Sequence, residues 1–267
     1  MKTFFGRMRA DTMRLSEVPR IQFLAFALFG LVLLAATPAL ASDVPVAVAA
    51  NFTAPAKELA TIFHTKTGDT LVLSFGSSGQ FYTQIKQGAP FEVFLSADAA
   101  RPKKAVADGL AVPGTVFTYA VGKLVLWSAD PKLVDADGMV LHDGNFIHIA
   151  NADPGAAPYG AAGMQTMKAL DVYNELAPKI VTGQSITQTY QFVASGNAEL
   201  GFVALSQVVK SKKGSEWIVP QTLYSPILQD AVLLKTGAND PGAKAFLAFL
   251  KSPAALKIIR SYGYTTP

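Results

Sequence analysis

Apolar and polar positions alternate with two different periods along residues 44–264, and the switches between them lay out the elements. Residues 44–49 (VPVAVA) form a short β-branched run and predict a strand. Residues 53–66 place Ala56, Leu59, Ala60, Ile62 and Phe63 at helical spacing and predict an amphipathic helix. The pattern continues as strand 70–75, helix 78–87, strand 91–96 and helix 99–108. This βαβαβα order predicts an α/β fold, with a parallel or mixed sheet covered by helices on both faces.

A long β-type run at 116–128, interrupted by Gly122, predicts a crossover into a second lobe. That lobe repeats the pattern, with strand 146–150, helices 160–170 and 185–195, and strands 199–203 and 216–219. A second long run, 225–235, predicts the return crossover, and 241–250 and 253–261 read as closing helices. The expectation is a lobe 1 made of 42–121 and 226–267, and a lobe 2 made of 122–225. Two crossover strands would act as the hinge of a cleft between them. The chain shows no internal repeat and no low-complexity tract.

The first 41 residues stand apart. Lys2, Arg7, Arg9, Arg14 and Arg20 precede an apolar run at 23–36, followed by Ala39 and Ala41. Basic, apolar and small-residue regions in this order predict a secretory signal peptide cut after Ala41. The alternative is an uncleaved anchor, but the apolar run is shorter than the ~20 residues that span a bilayer. This leader carries five basic and two acidic side chains, leaving 18 Lys+Arg against 17 Asp+Glu, a net charge of about +1. A near-neutral chain carries no electrostatic footprint for nucleic acid. The chain has no cysteine, which excludes disulfides, thiolate metal sites and cysteine nucleophiles.

Three strand-to-helix turns share a chemistry: AANFT (49–53), GSSG (76–79) and APYGA (157–161). Each sets small or hydrogen-bonding residues at a helix N-terminus, where unpaired N–H groups and a partial positive charge favour an anion. None contains Lys, Arg, His or a carboxylate. Neutral donors alone suit a fully deprotonated tetrahedral oxyanion. A protonated phosphate also needs an acceptor for its own proton, and these turns offer none. The plainer alternative is that Asn51, Ser77 and Ser78 only cap helices and Gly79 only relieves a turn.

Other chemistry finds little support. The Ser-Ser turn is not a nucleophile elbow, because position 80 is Gln. Neither a dinucleotide fingerprint nor a P-loop occurs. His64, His142 and His148 are scattered without metal-ligand spacing. Trp127 and Trp217 read as core, Asp98 as a helix cap, and 210–213 as a solvated turn. An exported enzyme would need a nucleophile with a base, or a metal, and the three turns hold no base. An organic acid would want a bidentate Arg, and the nearest, Arg101, lies beyond the turns.

AANFT (49–53), FGSSG (75–79), QGAP (87–90) followed by FLSAD (94–98), LGFV (200–203) and SYGY (261–264) occur in one order. Together they resemble the periplasmic molybdate-binding proteins of ABC importers, over about 44–264. The resemblance implies a type II-like two-lobe periplasmic binding fold and no enzymatic activity. It implies a ligand, molybdate or tungstate, with a sulfate-type oxyanion as the alternative, and no cofactor. The implied partner is a permease in the inner membrane, met by a periplasmic monomer. The implied site residues are Asn51, Ser78, Tyr159 and Ile186, the last two through backbone N–H groups. These four would meet the metal only through the oxygens of the oxyanion. Two positions depart from the family. Asn51 stands where many members have serine, and its amide still offers an N–H. Ala204 stands where many have a tyrosine whose hydroxyl reaches the anion; Tyr159 is the candidate to replace that hydroxyl.

Overall fold

The computed structural model describes residues 42–211 and 213–266, together with Met1, Thr3 and Gly6. The leader read in residues 1–41 and its cleavage after Ala41 otherwise lie outside the described residues.

Among the described residues, ten strands form two five-stranded mixed sheets with helices packed on them. The first sheet holds β1 (Asp43–Ala49), β2 (Thr70–Gly76), β3 (Val93–Leu95), β4 (Phe117–Gly122) and β10 (Ile227–Leu233), in the order β2-β1-β3-β10-β4. The second holds β5 (Leu124–Ser128), β6 (Ile149–Ala152), β7 (Ile180–Gly183), β8 (Leu200–Ala204) and β9 (Ser215–Ile218), in the order β7-β6-β8-β5-β9. The two orders are the same plan. In each, a central strand pairs parallel with a strand on either side: β1 with β2 and β3, β6 with β7 and β8. In each, a strand from across the molecule then enters antiparallel, β10 in the first sheet and β5 in the second.

The helices are α1 (Thr53–Thr67), α2 (Ser78–Lys86), α3 (Ala100–Ala107), α4 (Val140–Asp143), α5 (Pro158–Ala169), α6 (Tyr173–Leu176), α7 (Ile186–Ala194), α8 (Leu205–Val208), α9 (Pro241–Leu250) and α10 (Pro253–Ser261). None of the described helices is long and apolar enough to cross a membrane. Phe63 of α1 meets Phe246 of α9 edge-to-face at 5.5 Å on one side of the first sheet, while Phe81, Ile85 and Phe94 form a separate cluster. Strand β1 is buried at Val44, Val46, Ala47 and Val48; covering on both faces explains its continuous apolar run. Trp127 and Trp217 are buried, as their apolar surroundings predict, and Trp127 stacks on Tyr190 at 5.1 Å.

The long runs resolve more finely than the sequence suggests. Residues 116–128 make two strands in different sheets, with Lys123 between Gly122 and Leu124. In 225–235 the strand Ile227–Leu233 lies wholly in the first sheet, so the chain returns between Ile218 and Ile227. The edge strand β7 and the short helices α4, α6 and α8 were not expected; each is about one turn or four residues long, too short to show a period. The turn read as solvated is exposed at 210, 211 and 213, and within it Lys210 sits 3.5 Å over the Tyr262 ring and 3.6 Å from Glu58.

Candidate functional site

Parallel pairing aims the C-terminal ends of neighbouring strands the same way, and ligands of open α/β sheets bind beyond those ends. Here β1 runs through a 3-10 turn, Ala50–Phe52, into α1, and β2 runs through Ser77 into α2. In the second sheet β6 leads to α5 and β7 leads through Gln184 and Ser185 to α7. These four turns enclose one cavity. Asn51, Ser78, Tyr159 and Ile186 all line it, as do Ser77 and Ala97, and no lining side chain is charged. Its volume is about 10 Å³, roughly the room one water needs. An organic ligand takes ~300–1,000 Å³, far more than this space offers.

The helix starts around it are unusual in what they leave unmade. Ser77 occupies the N-cap position of α2 with extended backbone angles (φ −75°, ψ 148°), yet its side chain makes no capping bond. The starts of α1 and α5 are equally without a side-chain cap. First-turn N–H groups have no carbonyl within their own helix to receive them. In α2, α5 and α7 these turns belong to Ser78, Tyr159 and Ile186. Only α7 is capped, by Ser185 Oγ accepting from Gln188 N at 3.3 Å. Capping alone therefore does not account for Ser77.

Ser78 is fully buried, and its Oγ accepts a hydrogen bond from Ala97 N at 2.9 Å. A hydroxyl that accepts keeps its own proton to donate. Asn51 behaves differently from expectation. Its Nδ2 donates to Gln229 Oε1 at 2.8 Å and to Tyr264 OH at 2.9 Å, which uses both amide hydrogens. Its backbone carbonyl accepts from Ser206 Oγ at 2.8 Å. The Tyr159 hydroxyl also joins this cluster, accepting from Gln229 Nε2 at 3.3 Å, and Tyr119 donates to Gln229 Oε1 at 3.2 Å. The cluster sits where the chain crosses between sheets. A Cβ added at Gly122 would lie 2.0 Å from Tyr159 OH, so only glycine fits the end of β4 there.

This cluster is neutral. Burial raises the hydroxyls of Tyr119 and Tyr159 well above the usual tyrosine value. Burial likewise pushes Tyr264 up to about 12, against the lowering effect of hydrogen bonds from Ser206 and Asn51. Ala204, the position of the missing tyrosine, is fully buried in β8 and is not part of the cavity lining.

Charged groups stay outside. Arg101 pairs with Asp98 and donates from Nη2 to Gly155 O at 2.7 Å, bridging from α3 to the loop before α5. Asp98 also caps that turn, accepting from Arg101 N at 2.8 Å. Beside it, Gly79 N donates to Ala156 O at 2.9 Å. Thr187 Oγ1 donates to Ala50 O at 3.3 Å, and Gln80 to Gln184 at 3.4 Å. These bonds join the turns of one sheet to those of the other. Two larger, open hollows, of about 360 and 530 Å³, flank Arg101 at the surface. Among the described residues no group of His, Asp and Glu could hold a metal ion.

Comparison with known proteins adds to this geometry. Residues 44–265 match the model of the bacterial extracellular solute-binding protein family. The molybdate-binding protein ModA of Rhodobacter capsulatus is 65% identical over 231 residues, covering 86% of this chain and 91% of that protein. The molybdate-binding protein ModA of Azotobacter vinelandii is 53% identical over 234 residues, covering 86% and 93%. The solved periplasmic molybdate-binding protein of Azotobacter vinelandii superposes with a TM-score of 0.82 and 44% identity, covering 84% of this chain and 99% of that one.

Proposed function

This chain belongs to the bacterial extracellular solute-binding proteins, and from that premise we propose that it is a periplasmic receptor that captures molybdate and delivers it to an ABC importer. The observation that carries the reading is the uncharged cavity where four turns from two sheets meet. It fits the relatives named as molybdate-binding at 65% and 53% identity.

Capture is non-covalent. The backbone N–H groups of Ser78, Tyr159 and Ile186 and the hydroxyl of Ser78 donate to the anion's oxygens. Donors to an ionised acceptor make shorter, stronger bonds than neutral pairs, and the helix N-termini add their partial charge. The chain between Gly122 and Leu124, and again between Ile218 and Ile227, acts as the hinge on which the two lobes close. Closure replaces the anion's water with these donors. The same donors hold tungstate, which presents the same charge and shape. The closed monomer is what the permease in the inner membrane recognises.

Asn51 joins this donor set through its side chain once its amide turns over. A half-turn of both the Asn51 and Gln229 amides exchanges their donor and acceptor roles. Gln229 Nε2 then donates to Asn51 Oδ1, Tyr264 OH gives up its bond to Ser206 Oγ or to the Asn51 backbone carbonyl in order to donate there too, and Asn51 Nδ2 is freed. The Tyr159 hydroxyl, bonded to Gln229, stabilises the hinge cluster and leaves Tyr159 to serve the anion through its N–H.

A thermal-shift panel on the protein beginning at Ser42, with molybdate, tungstate, sulfate, phosphate and citrate, tests the reading. A ligand at ~100 times its Kd stabilises by ~2.7 kcal/mol. A rise with molybdate and tungstate is expected, and none with phosphate or citrate. A rise with sulfate alone would move the protein to sulfate uptake; no rise with any would sink the proposal.

A further inference from the structure

Three side-chain polar atoms among the described residues are buried without a hydrogen-bond partner: Ser77 Oγ, Glu92 Oε2 and Asn151 Oδ1. Two have a local account. Glu92 lies beside the Asp240 carboxyl, and burial together with that neighbour raises its pKa, favouring the protonated form. Asn151 donates to Ala152 O and Gly160 O at 3.1 Å, and its Oδ1 lies 2.3 Å from where a Cβ on Gly163 would stand, so it packs against that glycine's backbone.

Ser77 has no such account. It lines the cavity and is only 3% exposed. It holds the N-cap position, where a serine hydroxyl ordinarily accepts from the N–H two or three residues on, and it does not. Its carbonyl meanwhile accepts from Phe81 N at 3.1 Å, so the backbone is in register with the helix while the hydroxyl is left over. A buried hydroxyl without a partner is costly in a folded protein. One that lines an uncharged cavity at the start of a nine-residue helix has a ready partner in an anion.

We propose that the Ser77 hydroxyl is a direct donor to the bound oxyanion, beside Ser78, so that the Ser-Ser pair supplies two hydroxyls. The inference rests on the oxyanion-receptor reading above and adds a ligand-contacting residue to it. Ser77 and Ser78 then have distinct roles. Ser78 both donates to the anion and holds Ala97 N, whereas Ser77 serves the anion alone.

The test uses protein purified after expression of the full chain, titrated calorimetrically with sodium molybdate and melted without ligand. Ser77→Ala is expected to raise Kd about tenfold, the effect of one lost hydrogen bond to a charged group. Its ligand-free Tm should stay unchanged, because no capping bond is lost. Ser77→Gly, which suits an N-cap and also lacks the hydroxyl, should raise Kd to the same extent. A molybdate-bound crystal structure should place Ser77 Oγ about 2.5–3.0 Å from an oxyanion oxygen. Wild-type binding with an unchanged Kd in both variants overturns this inference alone. A Kd change matched by a fall in ligand-free Tm also overturns it, since that is a structural role. Wild-type protein that binds no molybdate overturns the functional reading and this inference with it.

Discussion

Two groups of helix starts in this molecule differ in how their first turns are completed. At the C-terminal end, Asp240 caps α9 by accepting from Ala243 N at 2.9 Å, and Ser252 caps α10 by accepting from Ala255 N at 3.3 Å. Both helices begin with proline at the first position, which has no N–H to satisfy. Their starts are complete within themselves. At the cavity, Ser77 stands at the equivalent position of α2 and caps nothing, Phe52 and Ala157 before α1 and α5 have no acceptor side chain to offer, and Ser185 caps α7. A serine before a helix is therefore ambiguous in sequence: Ser252 and Ser185 complete a cap, while the unmade bond at Ser77 leaves a hydroxyl over. A capping bond stabilises the fold, and a cap hydroxyl left without one is available to something else.

High pH should break the cavity side hardest. Burial raises Tyr264 from 10.0 to about 12, so the folded chain keeps a proton that the unfolded chain gives up. Stability is therefore level below pH 10 and falls as pH climbs from 10 to 12. At about 1.4 kcal/mol per pH unit, Tyr264 alone contributes ~2–3 kcal/mol to that fall, and Tyr119 and Tyr159 add to it. Urea midpoints at pH 8 and pH 11 measure it; equal midpoints would show the cluster is not buried and neutral. Affinity for molybdate should stay flat from pH 7 to 9, because the cavity's donors do not titrate there.

Gly79→Ala comes next. The added Cβ would stand 2.8 Å from Ala156 Cα and 3.0 Å from Arg101 Nη2. Such crowding costs ~1–3 kcal/mol, and it acts only where the two sheets' turns meet. Molybdate affinity should fall about 10- to 100-fold by calorimetry, with little loss of ligand-free Tm. An unaltered affinity would mean the contact across the cleft has no part in binding.

Ser78→Ala should lower both quantities, since it removes a donor to the anion and strands Ala97 N. A loss of ~1–3 kcal/mol in binding is expected, together with a lower ligand-free Tm. A binding loss without the Tm loss would contradict the Ala97 bond. Asp240→Ala supplies the opposite pole of the comparison. Its loss should be ~1 kcal/mol of stability, or about 2–4 °C in Tm, with molybdate affinity untouched. A change in affinity there would undo the separation between self-contained and open helix starts. Tyr159→Phe should have the smallest effect. Its hydroxyl bonds Gln229 at a long 3.3 Å, so about 1 kcal/mol of stability or less is expected, with affinity nearly unchanged. A large affinity loss would restore the Tyr159 hydroxyl as a ligand.

The α/β class, the order of the longer elements and three of the four turns that meet at the cavity were legible in the sequence; the fourth, at Gln184 and Ser185, entered only through the family resemblance. Periods of 2 and 3.6 are local, and the runs around β1, α1, β2 and α2 carry them plainly. The sequence also determined which chemistry was absent, since neutral turns and a chain without cysteine are composition. Short elements such as β7 were not legible, because four residues cannot display a period and their pairing partner, β6, supplies the reason they are strands. What each polar atom does depends on packing between distant segments. Asn51 carries the right amide for an anion, but two of its bonds run to residues 178 and 213 positions away, at Gln229 and Tyr264. Tyr159 sits in the right turn, yet its hydroxyl is claimed by the same cluster. Ser77 and Ser78 are alike in the chain, and only packing separates one with a partner at Ala97 from one with none. Hydrogen bonds between residues this far apart depend on how the two sheets meet, and no local pattern records that meeting.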